Sequence, residues 1–277
     1  MSPLLVSTEW LTQHLHDPDL IVVDVRWDAA KIGGGYEAFL RGHIPGAIFL
    51  DLDGDLSDRS NPQRGRHPLP DPKVFADTLT KSGIGRSSRV VAYDDAGGSI
   101  AARLWWMLRW IGCDIVSLMD GGLGHWTHEN RPLESGDPSP RKLSPSPIRP
   151  NVQLGMIATM GEVESAMQTG LVLVDARAPE RYRGEIEPID FRAGHIPGAV
   201  NLPWINNLVE GVPQVFRSQS ELRENFERHG IRSNSRVVCH CGSGVTACHN
   251  IVALELAGFP GARLYPGSWS EWIHHHP

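Results

Sequence analysis

The hydrophobic positions of the chain follow two spacings, and each spacing predicts a different kind of element. Short runs rich in β-branched residues are typical of buried strands, and in the first half they lie at 21–25, 47–50, 89–93 and 115–118. Between two of these runs, Asp71 and Pro72 predict the start of a helix that ends at Gly83. Strands that alternate with helices in this way predict an α/β fold, a mostly parallel sheet with helices on both faces.

The second half of the chain repeats the first at an offset of about 150 residues. The segment RGHIPGA at 41–47 recurs as AGHIPGA at 193–199, and VVDVR at 22–26 recurs as LVDAR at 173–177. We therefore predict a tandem duplication, with one domain over 1–137 and another over 151–277. Residues 138–150 are rich in proline and serine, which predicts an extended connector between the two domains.

The composition of the chain argues against some classes of binding partner. The 277 residues include 26 Lys and Arg against 32 Asp and Glu, a net charge of −6, which argues against binding to nucleic acid. No apolar run approaches the roughly 20 residues that a membrane helix needs, and the first residues do not resemble a secretion signal. Four cysteines are too few for a disulfide framework, so we expect a cytoplasmic protein with working thiols and no membrane partner.

The segment CGSGV at 241–245 is the strongest candidate for chemistry. It follows a predicted strand at 236–240 and precedes a predicted helix at 246–256. Glycines after the cysteine let backbone N–H groups turn toward the sulfur, and the start of the helix adds partial positive charge. Both features stabilise an anionic sulfur, so the pattern predicts that Cys241 is a nucleophile.

These motifs resemble the 3-mercaptopyruvate sulfurtransferase branch of the rhodanese family. The similarity rests on CGSGVTA at 241–247, the paired GHIPGA segments and GSWSEW at 267–272, and it covers nearly the whole chain. The resemblance implies a tandem of rhodanese-like domains in which only the C-terminal domain is active, and it implies no cofactor. In the first copy Asp94 stands at the position that matches Cys241, and a carboxylate cannot carry sulfur.

The resemblance also implies a reaction and its partners. Cys241 takes a sulfane sulfur from 3-mercaptopyruvate as a persulfide, and an acceptor such as thioredoxin, glutathione or cyanide then removes it. Ser243, His67 and Asp53 match a Ser-His-Asp relay. The implied substrate-binding residues are Arg181 and the loop residues Gly242, Gly244, Val245 and Thr246.

The chain departs from the family pattern at one arginine. The family places a second substrate-binding arginine after a Glu-Pro pair, but Glu187 and Pro188 are followed here by Ile189. Arg192, three residues on, is the candidate replacement. A bidentate arginine suits the carboxylate of mercaptopyruvate, so the position of this second guanidinium bears on the donor.

Two alternatives stay open at this point. Thiosulfate is the alternative donor, although enzymes that use it place basic side chains directly after the cysteine, where this chain has Gly242 and Ser243. A rhodanese-like module that binds a partner without catalysis is the alternative of another class. We expect no metal site, since the cysteines and histidines at 239–249 lack a second Cys-x-x-Cys pair. The sequence does not determine the oligomeric state or whether the terminal His274–His276 run is native.

Overall fold

A computed structural model describes residues 3–138 and 146–276 of the chain. The contacts divide it into two compact units, and the first comprises Met1–Ser57, Pro70–Gln153 and Glu210–Val215. The second comprises Asp58–Leu69, Leu154–Val209 and Phe216–Pro277, so a short segment from the first half of the sequence packs with the second. The domain boundaries proposed from sequence stay a prediction, because residues 139–145 of the connector lie outside the described residues.

The first unit contains a five-stranded parallel sheet in the order β1-β5-β4-β2-β3. Its strands are β1 Leu5–Val6, β2 Leu20–Asp24, β3 Ile48–Phe49, β4 Arg89–Tyr93 and β5 Val116–Met119. Its helices are α1 Thr8–His14, α2 Gly34–Arg41, α3 Pro72–Lys81, α4 Ala101–Trp110 and α5 Gly122–His128. Helix α3 begins where the sequence predicts, because the Asp71 side chain accepts hydrogen bonds from the Lys73 and Val74 amides.

The second unit repeats this arrangement with a four-stranded parallel sheet in the order β7-β6-β8-β9. Its strands are β6 Leu171–Asp175, β7 Val200–Asn201, β8 Arg236–His240 and β9 Arg263–Leu264. Its helices are α6 Met160–Glu164, α7 Ala166–Thr169, α8 Pro179–Tyr182, α9 Gln219–Arg228, α10 Ala247–Leu256 and α11 Ser268–His275. Short 3-10 helices lie at Pro62–Arg64, Leu154–Met156 and Trp204–Asn207.

Each unit contains its own buried ion pair at the equivalent position, as expected for a duplicated chain. In the first unit, Arg26 pairs with Asp24 at the end of β2, and its guanidinium donates to the Gly42 carbonyl at 2.7 Å. In the second unit, Arg177 pairs with Asp175 at the end of β6 and donates to the Gly194 carbonyl, also at 2.7 Å. The matching sheets and contacts confirm the predicted α/β tandem.

The described part of the chain contains no helix with both the length and the apolar character needed to cross a bilayer. The helices instead bury their apolar faces in the two cores. In α4, Trp105 and Trp106 have no exposed surface, and β2 is buried along its whole length. Each sheet is therefore covered, as a parallel sheet requires, and its loops at the carboxyl ends of the strands are available for chemistry.

Candidate active site

Cys241 lies at the carboxyl end of β8, and the start of α11 holds its backbone. The Cys241 amide donates to the Ser268 hydroxyl at 3.1 Å, and the Trp269 amide donates to the Cys241 carbonyl at 3.0 Å. The Ser270 amide donates to the Gly242 carbonyl at 2.9 Å. The side chain of Cys241 is almost completely buried, at 2% exposure. The nucleophile predicted from sequence is thus held rigidly in a protected loop.

The glycine at 244 is required by the shape of this loop. Its φ is +74°, in the left-handed region, and a Cβ there would lie 2.3 Å from the Pro266 carbonyl oxygen. After it, Val245 and Thr246 accept the first hydrogen bonds that lead into α10, from the Cys248 and His249 amides. The chain therefore turns tightly around Cys241 and enters a helix immediately, as the sequence predicts.

The matching loop of the first unit shows what such a turn binds. The carboxylate of Asp94 accepts four backbone hydrogen bonds of 2.8 to 2.9 Å, from the amides of Ala96, Gly98, Ile100 and Ala101. The Leu123 amide donates to the Asp94 carbonyl, just as Trp269 does to Cys241. The first loop is therefore an anion cradle filled by its own carboxylate, and Cys241 occupies the corresponding position in the second loop.

His67 and Ser243 form a close pair within the second unit. Nδ1 of His67 lies 2.7 Å from the Ser243 hydroxyl, although the two residues are 176 positions apart in sequence. Both side chains are buried. The segment that carries His67 is held by a hydrogen bond from the Arg66 amide to the Ser270 hydroxyl at 3.1 Å. The structure therefore brings two of the three predicted relay residues into hydrogen-bond contact. One of them, Ser243, lies two positions after Cys241 in the loop.

Asp53, the third predicted relay residue, belongs to the first unit. Its carboxylate accepts a hydrogen bond from the Trp27 indole at 3.2 Å, and its amide donates to the Asp51 carboxylate at 2.8 Å. These contacts hold Asp53 in a tight turn that follows β3. Its participation in the relay stays a prediction.

Arg181 lies at the end of the short helix α8, in the second unit. Its guanidinium donates to Glu187 at 2.6 and 3.2 Å and to Asp190 at 3.3 Å, and its side chain keeps 16% exposure. A Cβ on Gly242 would lie 3.5 Å from the guanidinium, which places Arg181 against the cysteine loop. Burial is the largest influence on the pKa of Glu187 and raises it. The hydrogen bond and positive charge of Arg181, together with the hydrogen bonds from the Asp190 and Ile189 amides, outweigh burial, and the net effect is a lowered pKa.

Two further arginines, Arg192 and Arg66, also belong to the second unit, and the role of Arg192 in donor binding stays a prediction. Arg192 donates to the main-chain carbonyl of His276, and its own carbonyl accepts from the Trp269 indole at 2.9 Å. Arg66, which is not among the predicted site residues, lies against the cysteine loop: a Cβ on Gly242 would be 2.6 Å from its Nη2. Its position directly before His67 was the available signal, because a residue beside a relay histidine is carried to the same site.

The other cysteines near the loop, Cys239 and Cys248, are buried. Burial raises the pKa of the Cys239 thiol well above its ordinary value, so this thiol stays protonated at neutral pH. Cys248 donates to the Gly244 carbonyl at 3.5 Å, and none of the four cysteines, all of which lie in the described residues, forms a disulfide. Within residues 3–138 and 146–276, no group of three or more His, Cys, Asp or Glu side chains is arranged to hold a metal ion.

The terminal histidines also have packing contacts. His276 stacks on Trp272 with ring centroids 3.7 Å apart, and its Nε2 lies 2.9 Å from the Glu164 carboxylate. His274 contacts Phe191 with ring centroids 5.1 Å apart. These side chains therefore form part of the packed surface of the second unit.

Comparison with known proteins adds an independent line of evidence. A family model described as "Rhodanese-like domain" matches residues 7–129 and again 159–275. A protein of Pseudomonas aeruginosa named "Probable 3-mercaptopyruvate sulfurtransferase" is 44% identical over 280 residues, which cover 98% of this chain and 95% of that protein. The thiosulfate sulfurtransferase of Bos taurus is 34% identical over 283 residues, covering 99% and 93%. The solved structure of a 3-mercaptopyruvate sulfurtransferase from Leishmania major matches with a TM-score of 0.85 and 31% identity, covering 99% of this chain and 75% of that one.

Proposed function

The chain belongs to the rhodanese family and is a sulfurtransferase, and from this premise we propose that it takes sulfur from 3-mercaptopyruvate through a persulfide on Cys241. The observation that carries the choice of donor is the 2.7 Å contact between His67 and Ser243 beside the cysteine loop. A hydroxyl backed by a histidine suits a donor whose leaving group develops charge on an oxygen. Thiosulfate has no such keto oxygen.

The first half of the reaction forms a sulfur–sulfur bond and breaks a carbon–sulfur bond. The Cys241 thiolate attacks the sulfur of 3-mercaptopyruvate, whose thiol proton stays on the outer sulfur of the new persulfide. The electron pair of the broken carbon–sulfur bond passes into the enolate of pyruvate, which then takes up a proton. An acceptor thiolate or cyanide afterwards attacks the outer sulfur and restores the Cys241 thiolate.

The relay is proposed to act on the leaving enolate. With Nδ1 of His67 protonated, the histidine donates to the Ser243 oxygen, and the serine hydroxyl is free to donate to the keto oxygen of the donor. Charge on that oxygen is greater in the transition state than in the bound donor, so this hydrogen bond strengthens as the carbon–sulfur bond breaks. Asp53 is the proposed third member, which would orient the histidine ring.

The acceptor is proposed to be a thiol such as thioredoxin or glutathione, with cyanide as a substitute in assays. The proposed cycle needs a reduced Cys241 thiol, and Cys241 is not in a disulfide, which supports the cytoplasm as the proposed compartment.

The donor is tested by comparing kcat/KM for 3-mercaptopyruvate and thiosulfate with cyanide as a common acceptor. We expect 3-mercaptopyruvate to be preferred by about tenfold or more, because only this donor has a keto oxygen that becomes an enolate oxygen as the carbon–sulfur bond breaks, where the Ser243 hydroxyl can donate. A preference for thiosulfate would overturn the proposed donor and leave the sulfurtransferase assignment intact. Absence of turnover with both donors would favour the binding-module alternative.

Arg181→Ala is expected to lower kcat/KM for 3-mercaptopyruvate by roughly 10- to 150-fold, mainly through a higher KM. The reason is the loss of a guanidinium that lies against Gly242, where the donor carboxylate must bind. Arg192→Ala is the matched control, with an expected change below about threefold, since its guanidinium donates to the His276 carbonyl. Steady-state kinetics of both variants test these two expectations. A larger defect in Arg192→Ala would mean that the donor contacts Arg192.

A further inference from the structure

The loop between α8 and β7 carries its polar and apolar side chains in the reverse of the usual arrangement. Its acids are buried, since Glu187 and Asp190 each have only 4% side-chain exposure. Its large apolar residues are exposed instead, with Ile186 at 52%, Ile189 at 55% and Phe191 at 69%. We call these three residues the apolar rim. Single exposed apolar residues are common, but a cluster of them in one short loop is typical of an interaction surface.

The buried acids hold the loop in this arrangement. Glu187 accepts hydrogen bonds from the Ile189 and Asp190 amides, both at 3.1 Å. It also accepts from the Arg181 guanidinium at 2.6 Å. One carboxylate oxygen of Asp190 pairs with Arg66, and the other lies 3.3 Å from Arg181. The outward direction of the apolar side chains is therefore set by charged contacts inside the loop.

The apolar rim borders a cavity beside the cysteine loop. The cavity has a volume of about 460 Å³, and its lining includes Ile189, Phe191 and Ser270. The Ser270 amide donates to the Gly242 carbonyl at 2.9 Å, which joins the cavity wall to the residue directly after Cys241. A reactant that approaches the cysteine loop through this cavity therefore passes the apolar rim.

The proposed donor does not explain the apolar rim. 3-Mercaptopyruvate is small, and its carboxylate and keto groups need polar partners. Ile186 belongs to the rim but does not line the cavity, so a molecule confined to the cavity leaves it exposed. A partner that covers the whole rim must be broader than the cavity, which indicates a protein surface.

The charges around the cavity favour an acidic partner. Among the described residues that line it, Arg59 and Arg66 are cationic and Asp190 is the one acid, which leaves a surplus of positive charge with histidine counted as neutral. Behind this lining, Arg181 and Glu187 form an ion pair and balance each other. The chain as a whole carries a net charge of −6, so this face is positive on an acidic protein. Such a face attracts a partner with negative charge around its contact surface.

We propose that the apolar rim and the cationic mouth of the cavity form the docking surface for a protein acceptor, an acidic protein that presents its thiol from an apolar surface. This inference rests on the proposed function, because such an acceptor is needed only if Cys241 carries a persulfide. The acceptor thiolate attacks the outer sulfur and forms a new sulfur–sulfur bond. The bond between the two persulfide sulfurs breaks, and its electron pair returns to Cys241 as the thiolate.

The test compares a protein acceptor with small acceptors at a saturating donor concentration, with release of pyruvate as the readout. Reduced thioredoxin is the protein probe, and cyanide and dithiothreitol are the small acceptors. The double variant Ile186→Gln/Phe191→Gln should raise the KM for thioredoxin by roughly tenfold or more, because apolar and aromatic anchors carry most of the affinity of an interface. The KM for cyanide and for dithiothreitol should stay within about twofold, and an unchanged kcat with cyanide shows that the variant is folded.

A second variant tests the charge of the partner. Arg59→Gln removes a cation from the cavity lining. It should raise the KM for thioredoxin by roughly three- to tenfold and weaken the dependence of this KM on ionic strength, because a charge at the edge of an interface acts mainly on encounter. The KM for cyanide should not change.

Matched controls lie in the second unit and do not line this cavity. Leu154→Gln removes an apolar residue that is 75% exposed, and Arg228→Gln removes a cation whose side chain is 66% exposed. Both variants should leave the KM for thioredoxin within about twofold of the wild type.

Each outcome supports the inference or overturns it. An unchanged KM for thioredoxin in the double variant, or turnover of the wild type with cyanide but not with thioredoxin, would overturn the docking surface. An equal rise of the KM for dithiothreitol would show that the rim acts on small thiols. A wild-type dimer that the double variant dissociates in analytical ultracentrifugation would assign the rim to a second copy of the chain. An unchanged KM for thioredoxin in Arg59→Gln would overturn the acidic character of the partner.

Failure of the proposed function is read separately. If donor without acceptor adds no sulfur to the mass of the wild-type protein, the persulfide scheme fails and the docking surface fails with it. If sulfur is added and the rim variants behave as the wild type, only the docking surface fails. If thiosulfate proves to be the donor, the same acceptor comparison is made with release of sulfite as the readout.

Discussion

Cys241→Ser is expected to lose sulfur transfer by about a thousandfold or more with either donor. A serine hydroxyl is not ionised at neutral pH and does not hold a stable sulfane sulfur, so the variant lacks both the nucleophile and the intermediate. The backbone of the loop should survive, because its hydrogen bonds to Ser268 and Trp269 use main-chain atoms of residue 241. Loss of activity with a preserved fold would therefore show that the Cys241 thiol itself is needed for sulfur transfer.

The measurement pairs steady-state kinetics with intact-mass spectrometry. Donor added without acceptor should increase the mass of the wild-type protein by about 32 Da, one sulfur atom, and should leave the Cys241→Ser variant unchanged. Cys239→Ser and Cys248→Ser are the controls, since both residues are buried in the core, and they should keep most of the activity. Normal turnover by Cys241→Ser, together with loss of sulfurtransferase activity in Cys239→Ser, would show that Cys241 is not the nucleophile.

Asp94→Ala is expected to destabilise the first unit by at least about 3 kcal/mol, because hydrogen bonds to a charged group contribute about 1.5–3 kcal/mol each and are not additive. The substitution removes the acceptor of four backbone N–H groups in a loop whose centre is buried. The buried amides would then have to open toward water or stay without partners. The effect is expected on folding, since a carboxylate cannot carry a sulfane sulfur.

The free energy of unfolding, measured by chemical denaturation, tests this expectation. Asp94→Asn should fall between the wild type and Asp94→Ala, because its amide oxygen replaces only one of the two accepting oxygens. The exposed neighbour Asp95 provides the control variant Asp95→Ala, which is expected to change stability by less than about 0.5 kcal/mol. Equal stability of Asp94→Ala and the wild type would mean that the first loop does not depend on its internal anion.

Features that depend on neighbouring residues could be predicted from the sequence. The strand at Arg236–His240, the tight turn at Gly244 and the start of α3 at Asp71 follow from β-branched runs, a glycine and a capping side chain. The duplication was equally accessible, because a repeat is read by comparing the chain with itself. Local propensity and self-similarity therefore determine the α/β class, the tandem arrangement and the position of the candidate nucleophile.

Contacts between residues far apart in sequence were decided only by tertiary packing. The assignment of Asp58–Leu69 to the second unit, and with it the contact of His67 with Ser243, has no local signal. The resemblance suggested this pair, and the only sequence signal for Arg66 was its position directly before His67, whereas nothing in the sequence placed Asp190 between two guanidiniums. Hydrophobic periodicity shows which face of an element is buried, but it does not show which segments a loop meets. Only the tertiary packing of the second unit determines which charged side chains lie beside the cysteine loop.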